Sequence, residues 1–170
     1  NCLTLTYPAM NIVLIKKATA LIAATLLGTA ISFAAPYTAG QKVDSFQAKD
    51  QFEKEYTFKA SETRYLLVSH DMETGKKANS VLDALGKDYL PGKKAVYVAN
   101  IHGMPGIGRM FAMPKMKKYS HRIILGDDAN LIAKFPEEKG KVTVIAISDS
   151  KVSSIKYWTP GNEKLDTVLK

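Results

Sequence analysis

Residues 64–86 read RYLLVSHDMETGKKANSVLDALG, and this stretch decides the fold. Its first half, Tyr65 to Ser69, is a nearly continuous apolar run, which suits a strand covered on both faces. Its second half places Ala78, Val81, Leu82 and Leu85 at i, i+3, i+4 and i+7, the spacing of one apolar helical face. Gly86 is a natural helix stop. A buried strand over 64–70 therefore runs straight into a helix over 74–85. The junction, His70-Asp71-Met72-Glu73-Thr74, specifies no single reaction.

Upstream, QKVDSFQAKDQFEKEYTFK (41–59) alternates in short runs around Asp50-Gln51 and predicts an N-terminal hairpin. Downstream, Pro91-Gly92 reads as a turn and AVYVA (95–99) as a second buried strand. A loop to Gly106 leads into a helix interrupted or ended near Pro114. A short strand over 121–125 follows, then a helix to Phe135 with Asp128 as N-cap. VTVIAI (142–147) is a core strand, Asp149-Ser150 a tight turn, and 152–158 an antiparallel strand. A last helix over 162–169 presents Leu165, Val168 and Leu169 inward. The expected core is Leu66, Val68, Val81, Leu82, Leu85, Val96, Val98, Val144, Ile145, Ile147 and Leu165. Alternating strands and helices imply an α/β fold whose central sheet is covered on both faces, parallel early and closed by a hairpin.

Residues 10–34 carry the pattern of a secretory signal. Lys16 and Lys17 precede an uncharged run, Ala18 to Phe33, and Ser32-Phe33-Ala34 offers small residues for cleavage after Ala34. The alternative is a transmembrane anchor, but 16 uncharged residues fall short of the roughly 20 that span a bilayer. Residues 1–9 read as translated upstream sequence, leaving 35–170 as a single domain in the periplasm. The one cysteine, Cys2, lies outside that domain. A chain without a thiol performs neither thiol–disulfide exchange nor peroxide reduction through a sulfenic acid. The formal charge of +8 falls to +6 without Lys16 and Lys17. Excess positive charge outside the cytoplasm suits an envelope protein or an anionic envelope surface, and nucleic acid is not an expected partner there.

FQAKDQFEKEYTF (46–58) resembles the N-terminal hairpin of the peroxiredoxin-type branch of the thioredoxin-like superfamily. GDDANLIAKFPEEKGKVTVIAISDSKVSSIKYW (126–158) resembles that branch's run of acidic turn, short helix, core strand, turn and edge strand. The chain is similar to small exported thioredoxin-like proteins of Gram-negative bacteria, some of which carry a flavin-dehydrogenase label. The resemblance implies a three-layer sandwich: a central mixed sheet, an N-terminal hairpin, and helices on both faces. It also implies where a redox site would stand. In redox-active relatives the reactive cysteine sits at the N-terminus of the helix after the first core strand, and a cis-proline precedes the facing strand. Here His70 to Thr74 and Gly140-Lys141-Val142 occupy those places.

Four other features compete for a function. HGMPGIGR (102–109) follows a strand and precedes a helix, where backbone N–H groups cradle phosphate. Gly103, Gly106, Gly108 and Arg109 are thus candidates for holding a flavin or nucleotide, although neither dinucleotide nor P-loop spacing is present. The alternative is a loop that needs glycine for its shape. Second, His70-x-Met72 and His102-x-Met104 each follow a core strand, and imidazole plus thioether favours Cu(I). Methionines such as Met110 and Met113 also serve as ordinary packing. Third, Lys115, Lys117, Lys118 and Arg122 form a basic run suited to an acidic or anionic surface, or to a solvated helix end. Fourth, Ser69-His70-Asp71 has the residue types of a hydrolase triad, but consecutive residues cannot adopt its geometry. The leading expectation is a non-catalytic binding module, with a cofactor-binding enzyme and a Cu(I)-binding protein as alternatives.

Overall fold

The computed structural model describes residues 35–170. The expected signal segment, 10–34, and residues 1–9 with Cys2 lie outside the described residues. Twelve elements follow in order: β1 (Phe46–Asp50), β2 (Glu55–Phe58), β3 (Tyr65–Ser69), α1 (Met72–Leu85), α2 (Tyr89–Gly92), β4 (Ala95–Asn100), α3 (Gly106–Met116), β5 (Ile124–Gly126), α4 (Ala129–Ala133), β6 (Val142–Ser148), β7 (Lys151–Trp158) and α5 (Leu165–Val168).

The strands form one seven-stranded mixed sheet in the order β2-β1-β5-β4-β3-β6-β7. β3, β4 and β5 are mutually parallel because helices connect them. The β1–β2 hairpin adds antiparallel to β5, and the β6–β7 hairpin adds antiparallel to β3. Asp149 and Ser150 both take positive φ, which suits the tight turn joining β6 to β7.

Alternation along the central strands sorts the core into two layers. Tyr65, Leu67, Tyr97, Ala99, Val142 and Val144 face one side, with Ala78 and Leu82 of α1, Leu90 of α2, and Leu165 and Val168 of α5. Leu66, Val68, Val98, Ile145 and Ile147 face the other, with Leu131 of α4, Phe135, and Tyr37 and Val43 of the N-terminal segment. The sheet is thus sandwiched as the sequence predicts.

Several local expectations are corrected. Helix α1 begins two residues early, at Met72, because the Asp71 carboxylate caps it by accepting from the Thr74 backbone N–H at 2.8 Å. Its buried side runs Thr74, Gly75, Ala78, Asn79, Leu82. The inward face is thus rotated from the apolar spacing, leaving Leu85, expected in the core, 42% exposed at the helix end. Val81 and Val96 are only half-buried. Pro91-Gly92 ends a short helix instead of forming a simple turn. Pro114 neither ends nor breaks α3, which runs on to Met116. The last helix is shorter than predicted.

Candidate functional site

The C-terminal ends of β3 and β4 open onto a cavity of about 260 Å3 between α1 and α3. Met72 and Gly75 line it from α1, Ile101 and Met104 from the loop after β4, and Gly108, Phe111, Ala112 and Met116 from α3. Its lining is mainly apolar, with a few convergent polar groups, which is the usual make-up of a small-molecule site. The cavity lies above the β3–α1 turn, with Ser69, Asp71 and Met72 in its lining.

That turn is built as a cap. Asp71 Oδ1 accepts from the Thr74 N–H, and Oδ2 accepts from the Thr74 hydroxyl at 2.6 Å. Partial burial pushes the carboxyl pKa up, but the Thr74 and Glu73 hydrogen bonds outweigh it, and the net shift is downward. A carboxylate therefore holds the first turn of the helix where the resemblance implied a reactive thiolate. The first turn lies against the sheet at Gly75, where a Cβ would just touch Ser69 Oγ at 3.4 Å.

Beneath the cavity runs a buried polar layer. Ser69 Oγ and Tyr97 OH are paired at 2.8 Å. His121 Nε2 meets Asn79 Oδ1 at 3.0 Å, with Tyr97 and Tyr119 rings packed around the imidazole. His121 Nδ1 is buried with no partner among the described residues. Burial pushes the His121 pKa down to about 4, Asp83 opposing it weakly, so the ring is neutral at pH 7. The neutral ring donates from Nε2 and leaves only a lone pair at Nδ1. Sequence reading missed this layer because isolated Ser, Asn and Tyr residues carry no spacing signal.

The sequence-derived metal set does not converge. His70 turns toward β6, where its Nε2 lies 2.9 Å from Thr143 Oγ1. The Thr143 hydroxyl donates to the Pro136 carbonyl, so its oxygen accepts from His70 Nε2. Burial lowers the His70 pKa, with Glu137, the Pro136 carbonyl and Asp71 opposing it. His102 points the other way, its Nδ1 3.2 Å from the Asp127 carbonyl beyond β5. Met72 and Met104 both line the cavity, and neither histidine does.

The Gly-rich loop is likewise engaged. Arg109 forms a two-pronged ion pair with Asp127 and donates to the carbonyls of Ile101 and Met104. The Asp127 contact raises the Arg109 pKa, and the same contact lowers that of Asp127. The guanidinium thus ties α3 to the sheet rather than presenting itself to a phosphate. Gly103 needs its glycine, with φ +74, whereas Gly106 has open space where a Cβ would stand. Gly108 packs against Met104. In the basic run, Arg122 pairs with the buried Asp50 at 3.0 Å and lies over Tyr56, while Lys115, Lys117 and Lys118 are exposed.

Helix α3 is unusual in burying only Met116. Ile107, Met110 and Phe111 are 68%, 63% and 64% exposed. A second, larger and more open groove of about 800 Å3 lies on its far side, its lining including Met110, Met113, Pro114, Leu125 and Leu131. Among the described residues, no group of three or more His, Cys, Asp or Glu side chains is placed to hold a metal ion, and every peptide bond is trans. None of their helices is long and apolar enough to cross a membrane.

No protein-family model and no curated protein sequence matches the chain. Solved structures do. A candidate protein disulfide isomerase from Bacteroides thetaiotaomicron aligns at TM-score 0.53 and 13% identity, over 82% of this chain and 90% of its own. A peroxiredoxin-like protein from Aquifex aeolicus aligns at 0.52 and 12%, over 80% and 86%. A candidate thioredoxin from Neisseria meningitidis aligns at 0.51 and 12%, over 79% and 88%. The chain has the thioredoxin-like fold.

Proposed function

We propose that this thioredoxin-like protein is a non-catalytic binding module whose ligand occupies the cavity between α1 and α3. A fold does not carry its relatives' chemistry with it, so the reading rests on the site. The observation that carries it is the replacement at the β3–α1 junction. The first-turn groups of α1 that would lower a thiol pKa are engaged by Asp71, and an apolar cavity stands directly above. The signal pattern of residues 10–34 supports placing the module in the periplasm, with an envelope molecule as its ligand or partner.

The test is calorimetric titration with 1-octanol, a neutral apolar probe. Binding with a negative heat-capacity change is expected, because apolar surface leaves water. Ala112→Leu, which fills the cavity from α3, should remove the binding while leaving the fold intact by circular dichroism. No binding to the wild type, or equal binding to the variant, would overturn the site. Reduction of disulfide substrates by the purified protein would overturn the non-catalytic reading.

A further inference from the structure

The polar groups around the cavity divide into those already used and those free. Asp71 is occupied by Thr74. Asn79 is paired with His121, and Ser69 with Tyr97. Asn100 donates to the His70 carbonyl and accepts from the His102 N–H. Three polar side chains lining the cavity have no hydrogen-bond or ion-pair partner among the described residues: Lys76 on α1, Lys115 on α3, and Tyr119 beyond α3. All three can donate, the Tyr119 hydroxyl can also accept, and the two lysines are cationic. The Asp71 carboxylate is engaged in the α1 cap, and against its single negative charge the two free ammonium groups leave the cavity mouth net positive, which favours an anion.

From this juxtaposition we infer that the ligand is a single-chain anionic amphiphile. Its apolar tail packs among Met72, Met104, Phe111 and Met116, and its anionic head meets Lys76 and Lys115 at the mouth. This rests on the cavity reading above and adds the ligand's chemical class. Methionine walls suit a flexible chain, because the thioether side chain adapts to irregular shapes. The free cations sit on the two helices that form opposite walls, so a head group between them is held from both sides. A neutral ligand with several polar groups finds few partners there, and a cationic one is repelled.

The experiment compares 1-octanol, octanoate and octylammonium as monomers at pH 7.5 and low salt, by calorimetry with the protein covering residues 35–170 and with the full chain. Octanoate should bind about tenfold more tightly than octanol, the scale set by two solvent-exposed charge contacts, and octylammonium more weakly than either. The advantage of octanoate should shrink as salt is added. A Lys76→Gln, Lys115→Gln double variant should bring octanoate down to the affinity of octanol and leave octanol unchanged. Octanoate binding no better than octanol overturns the inference while the cavity reading stands. No binding of any of the three overturns both. Binding to anionic phospholipid vesicles without binding of monomeric octanoate also overturns it, assigning the charge to surface docking instead.

Discussion

Replacing His121 with Phe should flatten the dependence of folding stability on pH between about 7.5 and 4.5. In the fold, the imidazole is buried between Tyr97 and Tyr119, donates to Asn79, and has no partner for Nδ1. Protonation would place a charged ring and a second N–H in a buried site with no acceptor among the described residues, and burial pushes the pKa down to about 4. In the unfolded chain it is about 6.5. Between those values the unfolded state binds a proton that the native state does not, so stability rises with pH across the window. The contribution is complete above about pH 6.5 and is lost progressively as pH falls toward 4. One pKa unit is about 1.4 kcal/mol, so the loss at pH 4.5 is on the order of 2–3 kcal/mol. His70, also depressed, contributes with the same sign in both proteins and cancels in the difference. Asp50, Asp71 and Asp127, whose pKa values are lowered, act mainly below pH 4. Urea unfolding at half-unit intervals supplies the curves. Parallel wild-type and His121→Phe curves would mean that solvent or an acceptor reaches Nδ1, and would refute the burial argument for His121.

Two further outcomes follow from the same geometry. Asp71→Ala should cost about 1–2 kcal/mol in urea unfolding at pH 7, by removing the α1 cap and unpairing the buried Thr74 hydroxyl. Because the Asp71 carboxyl is held below its ordinary value, that cost should fade as pH drops through the folded pKa, and a cost unchanged by acid would count against the cap. Gly126→Ala should destabilise by roughly 1–3 kcal/mol, since its Cβ would stand 2.7 Å from Ile132 Cδ1 and 3.1 Å from Val98 Cγ1. A loss of melting temperature below about 2 °C would show that Ile132 swings aside without cost.

The sheet was legible because alternation is local. Leu66 and Val68 face away from Tyr65 and Leu67, and the strand records both layers within five residues. Helix α1 was legible in extent but not in orientation. Its inward side includes Thr74 and Asn79, and polar residues in a helical pattern read as solvent-facing until a buried partner such as His121 is known. Pro114 shows a local rule yielding to context, since α3 lies on the surface with one buried residue and tolerates the break in its ladder. The cavity has no contiguous signature, being assembled from residues scattered between Ser69 and Tyr119. The crowding of methionines in that interval was the visible trace. The histidines do not share the cavity with them, because His70 and His102 reach toward opposite neighbours of the β3–β4 pair.

The cavity itself is tested most directly by methionine methyl spectroscopy. The described residues hold five methionines: Met72, Met104 and Met116 line the cavity, whereas Met110 and Met113 line the groove on the far side of α3. With 13C-labelled methionine methyls, titration of octanoate should shift the signals of Met72, Met104 and Met116 along one saturating curve and leave those of Met110 and Met113 in place. Shifts confined to Met110 and Met113, or no saturating shift at any methionine, would contradict a ligand site between α1 and α3.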